Sequence, residues 1–376
     1  MANVFTAIQP QLYSAAQEVS NEPFGAVAAV NTFFDDKGVA VGDTVKVPVA
    51  PKATTSAFTP AMTPTAGTDA TASAVSVAIT ASDKVSWNLT GEQVRSLENG
   101  GNQTEWVRQM VAQGMRALRN NIEAAAVLAI RTGASRAYGT AGTTPFVSDL
   151  SALTNARKIL QDNGAPLADL QCIVDTAANL NLLNLGIIQQ AYQAGSDAER
   201  RSGMVARQFG FAINASAQIS TVTKGTGASY VTSGSTAVGV TDIALVTGTG
   251  TVLAGDVVTF AADTANKYVV NTGVTAPGTI SLGRPGARVT IATANAMTIG
   301  NNFVPNLAFE RSAVVGVIRP PIIPANPAIT QTIISDQYGM SYLLLQIAGY
   351  GMTTWELHAA YGFKTVNPEH VVLIMG

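Results

Sequence analysis

The side chains in this chain that could do chemistry are few and scattered. Histidine occurs twice, at His358 and His370, and cysteine once, at Cys172. A hydrolytic site would set one of those histidines beside a nucleophile and an acid, and no nucleophile elbow accompanies either. In the run TTWELHAAYGFK, Trp355, Leu357, Ala359, Tyr361 and Phe363 alternate onto one face of a strand. Glu356, His358 and Lys364 then share the other, a solvated or interface face. One cysteine supplies neither a disulfide nor a thiolate metal site, and no HExxH motif is present. Cys172 lies in the apolar run Leu170-Gln171-Cys172-Ile173-Val174 and reads as a small buried core residue. The Gly-rich stretches Lys224-Gly225-Thr226-Gly227 and Gly248-Thr249-Gly250 lack the spacing of a phosphate-binding loop and a following helix, so they read as turns. Arg136, after Gly133-Ala134-Ser135, and the pair Arg200-Arg201 are isolated basic spots without interleaved aromatics; they read as solvent-facing charge. No catalytic, cofactor-binding or metal-binding residue is therefore assigned, and no enzymatic role is expected.

Composition points the same way. With 376 residues the chain can bury a large core and should contain two or three domains. A formal net charge of −2 gives no electrostatic footprint for nucleic acid or an anionic membrane. Charged residues make up 12% of the chain, against about 25% in a typical soluble domain. So few charges leave a monomer poorly solvated, so much of the surface is expected to be covered by other subunits. The run MANVFTAIQPQLYSAAQ has no basic segment ahead of an apolar core, so no signal peptide is expected, and no apolar run of 18 residues exists to span a membrane.

The element that organises the chain is the stretch 104–131, TEWVRQMVAQGMRALRNNIEAAAVLAIR. Val107, Met110, Val111, Gly114, Leu118, Ile122, Ala125 and Ala129 recur at helical spacing. Arg108, Arg116, Arg119 and Glu123 fall largely off that stripe and are expected to face water or a partner. Thr104 is the expected N-cap, and Gly133 follows the far end. Such a helix would be about 42 Å long. The stripe keeps no strict heptad, so the helix reads as a spine against which sheets pack. Gly114 inside it invites two readings: a close approach that a methyl would block, or a bend.

Before the spine, an amphipathic helix is expected over 7–19 and a strand over 42–49. A Thr/Ala/Pro-rich stretch over 50–74 follows, and alternation resumes at Val75, Val77 and Ile79. That connection exceeds the usual hairpin loop of about 2–5 residues, so it reads as an extended arm lying on a neighbouring subunit or as a solvated linker. After the spine, 133–145 reads as a Gly/Thr-rich connection. Residues 146–217 read as an α/β unit with a helix over 150–162, the Asn163-Gly164 stop and a buried strand over 170–174. Residues 218–300 turn to Thr, Gly and Val with short alternating runs at 243–246, 257–260, 268–270, 279–282 and 289–292, which reads as an inserted small β-barrel or sandwich. A hairpin over 341–363 around Gly349-Tyr350-Gly351 and a strand over 371–375 end the chain.

The order of these pieces resembles the major capsid proteins of tailed bacteriophages with the HK97-type fold, and more narrowly the P22-type coat proteins. Four segments carry it: Gly42-Asp43-Thr44-Val45-Lys46-Val47-Pro48, the long helix after a hairpin arm, Asn306-Leu307-Ala308-Phe309-Glu310-Arg311-Ser312-Ala313, and Tyr361-Gly362-Phe363-Lys364-Thr365-Val366-Asn367-Pro368-Glu369. The resemblance implies an α+β chain. Its parts would be an N-terminal arm (1–42), an E-loop with flanking strands (43–82) and a P-domain (83–145) holding a spine helix over 104–132. An A-domain (146–217, returning over 301–340), an inserted all-β domain (218–300) and a closing hairpin and strand of the P/A core (341–376) would follow. It further implies hexamers and pentamers of an icosahedral virion shell, assembled in the host cytoplasm with scaffolding and portal proteins around double-stranded DNA contacted non-specifically, and no membrane. Family members form a procapsid that expands as DNA is packaged. The insertion is short, so contacts made by a long loop of that domain are not carried over. The fold brings no catalytic, cofactor or metal residues. An encapsulin-like compartment shares the fold and is the alternative; a surface-layer or adhesin protein would explain the β texture but calls for a secretion signal.

Overall fold

The computed structural model describes residues 14–16, 19, 25–34, 39–49, 55, 57, 60, 73–99, 103–189, 207–324, 326–335 and 340–376. Residues 14–16 and 19 are helical, and the rest of the helix expected over 7–19 lies outside the described residues. The chain continues through a short helix α1 (Ala26–Ala29) and strand β1 (Asn31–Phe34), then β2 (Thr44–Val49) and β3 (Ser73–Ala78). β2 and β3 pair antiparallel from Thr44↔Ala78 to Val49↔Ser73, so the hairpin is real; most of its expected extended tip, 50–74, lies outside the described residues. β4 (Ala81–Thr90) and α2 (Gly91–Asn99) lead into the spine α3 (Gln103–Thr132). The spine begins one residue before the expected cap, so Thr104 is inside the helix.

The connection 133–145 is not mere loop. It holds β5 (Arg136–Gly139), too short to show a period. α4 (Ser151–Asp162), β6 (Leu170–Val174), α5 (Thr176–Asn184), α6 (Gly186–Gln189) and β7 (Phe211–Ala215) follow. Asn163 caps α4, and Gly164 at φ +79° turns the chain away. Residues 218–300 contain only strands among their regular elements. These are β8 (Val231–Thr232), β9 (Asp242–Val246), β10 (Val257–Phe260), β11 (Asp263–Thr272), β12 (Thr279–Leu282) and β13 (Met297–Ile299). The run 289–292 is not a strand; Ile291 makes one isolated bridge to Thr236. β14 (Pro305–Glu310), β15 (Val314–Arg319), β16 (Ile329–Ser335), β17 (Ser341–Ala348), β18 (Met352–Thr365) and β19 (Val371–Met375) complete a mixed α+β architecture.

Two large sheets result. In the six-stranded one, β1, β15, β18, β17 and β16 lie in that order and β4 pairs along β18. The long β18 is the shared strand, pairing with β4 over 352–361, β17 over 353–358 and β15 over 360–365. Alternation puts Trp355 and Leu357 of β18 opposite Trp87 and Val85 of β4, on the face that receives the spine. Gly114 sits there. An alanine Cβ would lie 3.5 Å from Trp87, 3.6 Å from Leu357 and 3.7 Å from Val85, ordinary contacts, so of the two readings the close approach that blocks a methyl does not hold. Glycine costs about 1 kcal/mol in a helix interior relative to alanine. Gly114→Ala is therefore expected to stabilise the chain by about that amount in denaturant unfolding; a loss of stability would mean that the spine cannot accept the methyl.

The back of this sheet receives the hairpin base. Val77 and Ile79 pack with Val315, Val317 and Ala360, while Val45, Val47 and Val49 remain half-buried.

The second sheet has β7, β6, β14, β19 and β5 in order and then runs on into β11, β12, β9 and β8. Of its first five strands, β6, β14 and β19 are covered on both faces. Ile173, Leu307, Phe309, Leu373 and Met375 join the core around the spine. Leu170, Cys172, Val174, Ala308, Val372 and Ile374 point the other way, onto α4 and α5. Cys172 is fully buried and desolvation pushes its thiol up to about 12, in keeping with a core residue. Residues 218–300 own a further core around Tyr230, Ile243, Val258, Tyr268 and Ile280. Their sheet nevertheless continues the central one, through Tyr268↔Arg136 and Lys267↔Ala137.

Candidate functional site

The histidine singled out in the sequence lies on the strand face that alternation gives it, but at 13% side-chain exposure it is largely buried rather than solvated, and an ion pair holds it. Glu356 accepts from Lys84 at 2.7 Å and lies 3.0 Å from Nε2 of His358. The Lys84 hydrogen bond, and then that of His358, holds the Glu356 carboxyl below its ordinary range against the opposing effect of burial. Asp83 accepts from the Tyr361 hydroxyl at 2.6 Å and from Asn121 of the spine at 3.1 Å. A carboxylate shared by lysine and histidine ties β4 to β18. Because the folded pKa of Glu356 is depressed, its contribution is present above the ordinary value of 4.5 and is lost as pH falls through the lowered one. Lys84 is half-exposed, so the effect is under about 1 kcal/mol. Lys84→Met is expected to return the Glu356 titration toward 4.5 in a carbon-13 NMR experiment; an unmoved midpoint would contradict the pairing.

The Gly-rich stretches are indeed turns. The Gly225 amide donates to both carboxylate oxygens of Asp256, at 3.1 and 3.2 Å, so it is already engaged by an anion of the chain itself. Gly227 and Ala228 donate to Thr251 and Thr249.

Two polar centres were not legible in the sequence. The first corrects the expectation that Arg119 and Glu123 face water or a partner. Both are buried, at 4% and 6% exposure. The spine is covered on one side by the sheet and on another by the N-terminal segment, whose Ala15, Ala16, Val19, Ala26 and Val27 join the same core. Arg119 donates through Nη1 to the Val19 carbonyl. Glu123 Oε1 accepts from the backbone amides of Gly25 and Ala26, each at 2.9 Å. Gly25 is the N-cap of α1 and has no side chain to offer the helix's free amides, so the spine supplies that cap. A Cβ on Gly25 would fall 2.5 Å from the Ala215 carbonyl and 2.8 Å from Glu123 itself, so only glycine lets the arm approach this closely. The recurrence of Met115, Arg119, Ile122, Ala126 and Ile130 was the available signal of a second buried stripe.

The second centre corrects the reading of Arg136 as solvent-facing. It is 5% exposed, at the seam between the central strands and β11. Its guanidinium donates to Asn266 Oδ1 at 3.0 Å, to Asn163 Oδ1 at 2.9 Å and to the Ile159 carbonyl at 3.4 Å. Asn163 in turn donates to the Glu369 carbonyl at 2.7 Å, and Asn266 to both oxygens of Asp263 at 3.0 Å. Asp263 accepts from the Tyr268 hydroxyl at 2.5 Å. Burial is the main influence lowering the Arg136 pKa, and the nearby Arg288 adds to it. The side chain thus fastens α4, β11 and the approach to β19 together. Arg200 and Arg201 lie outside the described residues.

Among the described residues no cluster of three or more His, Cys, Asp or Glu side chains could hold a metal ion, and no helix is long and apolar enough to cross a membrane. No protein-family model and no curated protein matches the chain. It is similar to several solved structures. A chain of Mycobacterium phage Che8 is 14% identical, with 95% of this chain and 90% of that one covered and a TM-score of 0.45. The capsid of the cyanophage P-SCSP1u is 12% identical, covering 94% and 88%, with a TM-score of 0.49. A virus-like particle from Pyrococcus furiosus is 10% identical, covering 97% and 98%, with a TM-score of 0.46.

Proposed function

We propose that this chain is a structural subunit, the major capsid protein of a tailed bacteriophage, with an HK97-type fold. The observation that carries the reading is the β2–β3 hairpin. It forms a two-stranded sheet of its own, rooted by Val77 and Ile79 on the back of the six-stranded sheet, with Val45, Val47 and Val49 half-buried. A two-stranded hairpin is marginal in water, and the core at its base leaves Val45, Val47 and Val49 only half-covered, so in this reading a neighbour completes the arm. Support comes also from the low charge of 12% and from the spine laid across a sheet built on one long strand.

In this reading the N-terminal arm (1–42) is held on the spine by Arg119 and Glu123, and the E-loop (43–82) reaches the next subunit. The P-domain (83–145), the A-domain (146–217 and 301–340), the all-β insertion (218–300) and the closing strands (341–376) form the shell's wall. Hexamers and pentamers assemble with scaffolding and portal proteins in the host cytoplasm, and double-stranded DNA is contacted non-specifically. The chain does no chemistry. Light scattering of the purified chain with its co-expressed scaffold should give particles of megadalton mass. Monomers or dimers under every condition would overturn the proposal, and shells that never take up DNA would turn it toward a protein compartment.

A further inference from the structure

Between α4 and β11 lies a cleft of about 160 Å³, lined by Arg136, Lys158 and Lys267 together with Asn155 and Asn266. Arg136 Nε is buried without a hydrogen-bond partner, and the other guanidinium nitrogens are held by neutral oxygens of Asn266, Asn163 and Ile159. Lys267 donates to the Gly139 carbonyl, again a neutral acceptor, and burial lowers its pKa. Two carboxylates lie nearby. Asp162 pairs with Lys158 at 3.1 Å, and Asp263 is engaged by Asn266 and Tyr268. Arg288 adds a fourth positive charge close to Arg136. Three cations line the cleft and a fourth acts on Arg136, against two nearby anions, and the most buried cation has no carboxylate hydrogen-bonded to it. A desolvated guanidinium that no carboxylate neutralises attracts oxyanions strongly.

We propose that this cleft binds one oxyanion, a carboxylate or phosphate group, between Arg136, Lys158 and Lys267. Its volume admits such a group with a few waters. The group comes either from solution or from a side chain of a second copy. The inference does not rest on the capsid reading, since the isolated subunit already carries the site.

The test titrates the purified full chain, dissociated to subunits, with inorganic phosphate and with acetate at constant ionic strength, by calorimetry. Saturable binding is expected, weakened at least five-fold in Lys158→Gln and in Lys267→Gln. The Lys158 side chain is 71% exposed, so the first variant leaves the fold intact, as circular dichroism would verify. The same titration on assembled particles separates the sources. Phosphate binding kept in particles identifies a free oxyanion, and binding lost on assembly identifies a carboxylate of a second copy. Absent or unsaturable binding in the subunit, or binding unchanged in Lys158→Gln, overturns the proposal.

Discussion

Glu123→Ala is expected to destabilise the chain by about 3 kcal/mol and to free the N-terminal segment. One buried carboxylate oxygen satisfies the amides of Gly25 and Ala26. Hydrogen bonds to a charged group contribute roughly 1.5–3 kcal/mol each, and a buried amide left alone costs about 1–3 kcal/mol. The two bonds alone give at least about 3 kcal/mol, and the estimate stays there because an arm that peels away lets water reach both amides and removes the second cost. Glu123→Gln keeps an acceptor and should lose about half as much. Denaturant unfolding gives the energies, and hydrogen exchange at Gly25 and Ala26 reports the latch. A loss below about 0.5 kcal/mol with both amides still protected would show that the arm is held by its apolar contacts alone.

Arg136→Met should cost a similar amount, about 3 kcal/mol, by a different route. The substitution preserves apolar volume and relieves a desolvated charge, which by itself is neutral or favourable. It also removes three hydrogen bonds from a charged donor and strands the amide oxygens of Asn163 and Asn266. With each such bond contributing roughly 1.5–3 kcal/mol, the loss outweighs the relief. The damage should be local to the seam: amides of β11 lose protection before those of β6. A double-mutant cycle with Asn266→Ala should show a coupling above about 1 kcal/mol. A variant as stable as the parent, with no coupling, would mean that strand pairing alone holds 218–300 to the central sheet.

These two residues also mark where sequence reading stopped. The spine, the closing hairpin, the strand Leu170–Val174 and the runs Val257–Phe260 and Thr279–Leu282 are legible because each is either periodic or a short unbroken apolar run. Arg119 and Glu123 sit one position off the first apolar stripe; the second stripe signals a buried face there, but not that a segment about 100 residues earlier in the chain covers it. Arg136 belongs to a four-residue strand whose neighbours, β19 and β11, are both remote in sequence. The same holds for β1, which pairs parallel with β15. Gly114 leaves two readings open in the sequence, a clash or a bend, and the neighbouring side chains stand far enough off to admit a methyl, which removes the first.

A shell subunit of this kind requires the β2–β3 hairpin to be completed by another copy. Electron microscopy of the assembled chain tests this directly. Closed icosahedral shells are predicted, with Val45, Val47 and Val49 of each hairpin covered by the adjacent subunit. A small discrete oligomer, or shells in which every hairpin lies wholly on its own six-stranded sheet, would contradict it.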